Sequence, residues 1–179
     1  MNQYTIIFLA IIVSSLIILT VVMPYITFHK SLPEFSLAYQ LERSLKENGE
    51  FHTNLDLYVY STPALLKIND IDIEICTTYI IFKVKNAPIL NSRDELFNIW
   101  ANQTHAGLST GIEIKDNGYI LTINYINSTK AKTNKISIAY SGNLVKKIAV
   151  KNGRIQFLDK SYHIDGYRII EIREIKLKS

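Results

Sequence analysis

A chain of 179 residues with a formal net charge of +4 holds one domain with a real core once a membrane segment is set aside, and is too short for two ordinary ones. Its single cysteine, Cys76, excludes an intrachain disulfide framework and a multi-cysteine metal site, and seven glycines with four prolines exclude a fibrous or low-complexity chain. Charge is unevenly placed, with a net −4 over residues 1–129 and a net +8 over residues 130–179. That split reads either as a dipolar domain or as lysines on solvent-facing strand positions. No aromatic residues interleave with the basic ones on an identifiable face, so nucleic-acid binding is not expected.

Thr5 to Phe28 contains no charged residue, and Thr5 to Met23 is nearly all Ile, Leu, Val, Ala and Phe. At the helical rise those first positions cover roughly 28 Å, close to the hydrocarbon thickness of a bilayer. A cleaved signal peptide would need a positive n-region and a shorter apolar core, so the expectation is one uncleaved transmembrane helix, with residues 1–30 as anchor. Tyr4, Tyr25 and Phe28 suit the two interfaces. For orientation, Lys30, Arg43 and Lys46 favour a cytoplasmic C-terminal domain. The sequons at Asn102 and Asn127, candidate glycosylation sites, point outward. The expectation is a cell-membrane protein whose C-terminal domain is extracytoplasmic.

Residues 31–49 follow as an amphipathic helix, with Leu37, Leu41 and Leu45 at i, i+4, i+8, Ala38 beside them and Gly49 as a stop. Pro24 and Pro33 either bend or break the helical rod. The leucine stripe packs on the following domain, meets other copies, or does both.

From residue 50 to 179 the period becomes two. Leu55, Leu57 and Val59 alternate with polar residues, as do Ile71, Ile73 and Ile75. Ser92-Arg93-Asp94-Glu95 has the form of a capping box, which predicts a short helix carrying Leu96, Phe97 and Trp100 and ending by Gly107. Asp116-Asn117-Gly118 and Asn152-Gly153 predict hairpins, and Asp165-Gly166 opens the last strand. In that strand the apolar phase slips between Ile172 and Ile175, which predicts a bulge near Arg173-Glu174. The fold class expected is mainly β: an antiparallel β-sandwich with one short inserted helix.

The search for chemistry is mostly negative. His29, His52, His105 and His163 show no ligand spacing. Cys76 lacks a local nucleophile signature. Asp70, Asp72 and Glu74 alternate on a strand without the turn glycines of a calcium loop. No phosphate-binding glycine pattern occurs. No cofactor, metal or catalytic residue is expected.

One transmembrane helix with Pro24 near its end, the Leu37/Leu41/Leu45 stripe and an all-β remainder resemble the type IV pilin superfamily. More narrowly, the chain looks like archaeal pilin-like proteins and membrane-anchored β-sandwich accessory proteins of the archaellum. No Lys or Arg followed by Gly or Ala precedes the apolar run, and Thr5 stands where bacterial pilins carry a glutamate. The resemblance therefore implies a permanently anchored, non-enzymatic accessory component rather than a major fibre subunit. Its implied partners are the bilayer, other membrane or filament subunits met through the N-terminal helix, and further copies of itself. Pro24, Leu37, Leu41 and Leu45 would be the assembly contacts. Two other architectures share these features: an accessory subunit of a membrane enzyme complex, and a viral or cell-surface glycoprotein.

Overall fold

The computed structural model describes residues 33–85, 90–93 and 96–179. The expected membrane helix and Pro24 lie outside them. Among the described residues no helix is long and apolar enough to cross a membrane.

Helix α1 (Pro33–Asn48) opens on proline, whose missing N–H costs nothing at a first helical position. It closes where the Gly49 N–H returns to the Leu45 carbonyl at 3.1 Å. Ala38, Leu41 and Leu45 are fully buried, and Leu37 packs against the same cluster. The polar face carries Arg43–Glu47 and Lys46–Glu42 pairs, each 2.9 Å long and four residues apart. The helix lies against β1 (Glu50–Ile68), β4 (Phe97–Ala101) and β5 (His105–Thr110). It is thus part of the domain core rather than a stalk in front of it.

The remaining strands are β2 (Ile71–Lys83), β3 (Leu90–Arg93), β6 (Ile112–Asn117), β7 (Ile120–Asn127), β8 (Ala131–Ile138), β9 (Asn143–Phe157) and β10 (Lys160–Lys178). They form one sheet in the order β3-β4-β5-β2-β1-β8-β10-β7-β6, with β9 pairing both β1 and β10. The pairs are antiparallel except β10 with β7, which is parallel. The mainly-β expectation holds, whereas the two sheets expected of an antiparallel β-sandwich are one hydrogen-bonded sheet that contains a parallel pair.

The sheet buries opposite faces at its two ends. In β1, Leu57 and Val59 are buried first and then Leu66 and Ile68. In β2, Ile73 and Ile75 give way to Ile80 and Phe82. The β1–β2 ladder runs from Tyr58↔Ile81 to Ile68↔Ile71 without a register break, so the change from odd to even positions is a change of face. One core packs α1 against β1, β2, β4, β5 and β8. The other gathers Leu66, Ile68, Ile73, Ile75, Leu121, Ile123, Ile155, Phe157, Ile170 and Ile172 on the opposite face.

A chain of hydroxyls marks the crossing. The Ser128 N–H donates to Ser61 Oγ at 2.8 Å, and the Thr78 hydroxyl donates to the Ile126 carbonyl at 2.7 Å. Thr78 has one proton and spends it on that carbonyl, so Ser61, 2.7 Å away, is the donor between the two hydroxyls. The Thr78 N–H is taken by Thr110 Oγ1 at 2.9 Å.

Five local expectations give way. Asp165-Gly166 lies inside β10, which begins at Lys160, rather than opening it. The inserted helix is absent: Leu96 to Gly107 contributes β4 and the start of β5, because Phe97, Ile99 and Ala101 bury alternately and β5 supplies a ladder for them. Asn152-Gly153 makes no hairpin but lies inside β9, and the turn is Leu158-Asp159 between Phe157 and Lys160. The irregularity near Arg173 exists, yet its extra residue is Val145 of β9, since Ile172 faces Lys146 and Arg173 faces Leu144. The phase slip in β10 arises instead from its passage between cores, Ile170 and Ile172 serving one and Ile175 and Leu177 the other. Leu55, expected inward, is exposed in an irregular part of the β1–β8 ladder. The Asp116-Asn117-Gly118 hairpin forms as expected.

Candidate interaction surface

The two glycine signals read from the sequence as separate turns meet across one ladder. Asp165 and Gly166 of β10 together face Asn152 of β9. The Gly166 N–H donates to Asn152 Oδ1 at 2.6 Å, with Gly166 at φ 75°, a conformation that glycine adopts without strain. Asn69, in the β1–β2 turn, braces this kink: its Oδ1 accepts from the Arg154 N–H at 2.9 Å and its backbone N–H donates to the Arg154 carbonyl at 3.0 Å. Beyond the kink, the tip of the β9–β10 hairpin shares a recess with β6. The Tyr162 hydroxyl reaches Asp116 Oδ2 of β6 at 3.4 Å.

That recess is a slot of about 410 Å³ lined by Ile112, Ile114, Ile155, Phe157, Lys160, Ser161 and Tyr162. Its size is that of an ordinary ligand or side-chain pocket. It adjoins a second recess of about 480 Å³ that shares Ile112, Phe157 and Lys160 and adds Asn91, Asn98 and Ser109. The slot is apolar at its floor. The second recess is more mixed, with Asn91, Asn98, Ser109, Asp159 and Lys160 beside its apolar residues.

Two strand edges flank the slot. The two-residue turn Gly118-Tyr119 makes Asn117/Ile120 a hydrogen-bonded rung, so by alternation Ile112, Ile114 and Asp116 turn their N–H and C=O groups away from β7. The turn Leu158-Asp159 likewise leaves Ser161 and His163 turned away from β9. Among the described residues no hydrogen bond takes up these groups. Such an arrangement is suited to an extended backbone.

The residues singled out in the sequence fall elsewhere. Leu41 and Leu45 are wholly inside the chain's own core, so they present no surface to a second copy, and Leu37 is half-buried on the same cluster. Leu41 and Leu45 are internal packing. Asn102 is exposed in the β4–β5 turn, where its Oδ1 accepts from the Thr104 N–H at 2.9 Å and the His105 N–H at 2.8 Å. Asn127 is half-buried, and its amide donates to Glu174 at 3.0 Å. Burial pushes the Cys76 thiol up, with the Glu174 and Glu74 charges adding to it, so the reactive thiolate is disfavoured. Asp72 pairs with Lys67 at 3.7 Å. No group of three His, Cys, Asp or Glu among the described residues is placed to hold a metal ion. Trp100 lies on the opposite face from Phe97 and Ile99, half-buried, rather than beside them as a core plug.

Ion pairs join the acidic and basic segments of the chain. Because β8 lies beside β1, Lys132 meets Asp56 at 2.8 Å and Lys135 meets Glu50 at 3.7 Å. In the last strand Glu171 holds both Lys147 at 3.2 Å and Arg173 at 2.7 Å.

Sequence reasoning missed the slot. The short strand closed by Asp116-Asn117-Gly118 is a signal for an edge at β6, but nothing local says that the β9–β10 tip returns to it. Comparison with protein-family models found no match, nor did comparison with curated proteins or with solved structures.

Proposed function

We propose that this chain is a single-pass membrane-anchored, non-enzymatic accessory or structural component of the archaeal pilin-like or archaellum type. Its β domain stands outside the cell membrane and contacts other subunits. The observation that carries the reading is the charge-free run Thr5–Phe28, which precedes α1 in the sequence. Leu41 and Leu45 lock α1 into the domain, so α1 is part of the folded unit that follows the anchor in sequence. With Leu41 and Leu45 spent internally, contacts between folded domains fall to Leu37, strand edges and recesses.

Protease accessibility of the β domain in intact and lysed cells tests this. Digestion in intact cells is the expected result. Protection until lysis, with the protein recovered in the membrane fraction, would defeat the surface reading and favour a cytoplasmic-face subunit of a membrane complex. The glycoprotein reading draws on one observation, the exposed Asn102. Glycopeptide mapping would then find sugar at Asn102 and none at Asn127, whose amide is already engaged.

A further inference from the structure

We propose that the slot between β6 and the tip of the β9–β10 hairpin takes an extended peptide segment of a partner protein, apolar at alternate positions. The segment pairs through its main chain with Ile112, Ile114 and Asp116 of β6 and sets its apolar side chains over Ile155 and Phe157.

Three observations select this occupant. The edge of β6 presents three residues whose N–H and C=O groups both point outward, a row with the spacing of another extended backbone. The same residues border an apolar floor, so side chains at every second position of an added strand fall into the slot. Intervening side chains fall beside the Glu113–Lys115 pair, 3.0 Å apart on the outer face, which requires them to be polar.

The rest of the site disfavours the alternatives. A second copy pairing β6 to β6 would bring its own β9–β10 tip into the same space, because Tyr162 ties that tip to Asp116. An acyl chain or other small apolar molecule would cover the floor and make no main-chain pairing with β6. The neighbouring recess, which shares Ile112, Phe157 and Lys160 with the slot, then receives one end of the segment. The proposal is independent of which side of the membrane the domain occupies.

The test uses the full chain in detergent micelles and three sets of synthetic nine-residue peptides. One set alternates apolar and polar residues, one has the same composition shuffled, and one alternates but is N-methylated on every second residue. Hydrogen exchange at the Ile112, Ile114 and Asp116 amides is the readout. The alternating peptides are expected to bind and to slow exchange at those amides at least tenfold, while shuffled and N-methylated peptides do not. Ile114→Pro, which removes an outward N–H at an edge position where proline is tolerated, is expected to abolish binding with the circular dichroism unchanged. Should that variant misfold, the N-methylated peptides still decide the point. Equal binding of shuffled peptides, protection elsewhere, or no binding at all would overturn the proposal. So would protection of β6 that grows with protein concentration alone, or occupancy by palmitate that the peptides cannot displace.

Discussion

Asn69 turns the chain between β1 and β2 at φ 51°, and its side-chain oxygen takes the Arg154 N–H that an ordinary ladder would have paired with backbone. Gly153 makes this contact achievable, since a Cβ there would fall on the Asn69 amide. Gly153→Ala should therefore expel Asn69 and lower stability by about 2 kcal/mol. Urea unfolding of the full chain in detergent, followed by Trp100 fluorescence, checks this. Tyr125 illustrates a different residue-scale effect. Burial, then the Glu174 charge and hydrogen bond, push its hydroxyl up to about 12 from an ordinary value of 10. A raised value means that the fold holds the proton more tightly than the unfolded chain does. This contribution is complete below pH 10 and is lost as pH rises toward 12. The urea midpoint should fall across that interval, and Tyr125→Phe should remove part of the fall. Only part is removed because burial also pushes up Tyr140 and Tyr162.

At the scale of elements, α1 shows what periodicity can and cannot convey. The stripe Leu37, Leu41, Leu45 correctly identified a helix with one apolar face, yet spacing alone does not say whether that face meets its own chain or another. Full burial of Leu41 and Leu45 decides for its own chain. Leu41→Ala and Leu45→Ala should each cost about 2–5 kcal/mol, and Leu37→Ala, only half-buried, clearly less. Unchanged unfolding midpoints together with altered self-association on size-exclusion chromatography would restore the assembly role. The residues after Ser92 were misread because Leu96, Phe97 and Trp100 fit a helical face while Phe97, Ile99 and Ala101 fit a strand. Over so short a window both periods match, and the adjacent β5 edge decides. Asn152-Gly153 and Asp165-Gly166 are real departures from regular strand. Their chemistry permits a kink as readily as a hairpin, and only their meeting across the β9–β10 ladder makes the kink. The slot beside β6 depends on that long-range meeting, which explains why no local motif announced it.

At the scale of the whole molecule, the fold consists of two cores on opposite faces of one sheet, and Thr78 sits where β2 passes from one to the other. Its side chain is fully buried, giving a proton to the Ile126 carbonyl and receiving one from Ser61, while Ser61 in turn accepts from the Ser128 N–H. These bonds tie the β1–β2 hairpin to the end of β7 where β2 passes from one apolar cluster to the other. Thr78→Val keeps the shape and removes the hydroxyl, leaving a carbonyl and a serine hydroxyl without their partner. The expected loss is about 1–3 kcal/mol, with unfolding still in a single transition if the crossing merely stabilises both cores. If the crossing also couples them, amide exchange in the variant will separate into two groups. Amides around Ile170 and Ile172 would then open at a different free energy from those around Leu57 and Phe82. A single uniform shift of both groups would instead mean that the long strands β1, β2 and β10, which run through both cores, carry the cooperativity without the hydroxyls.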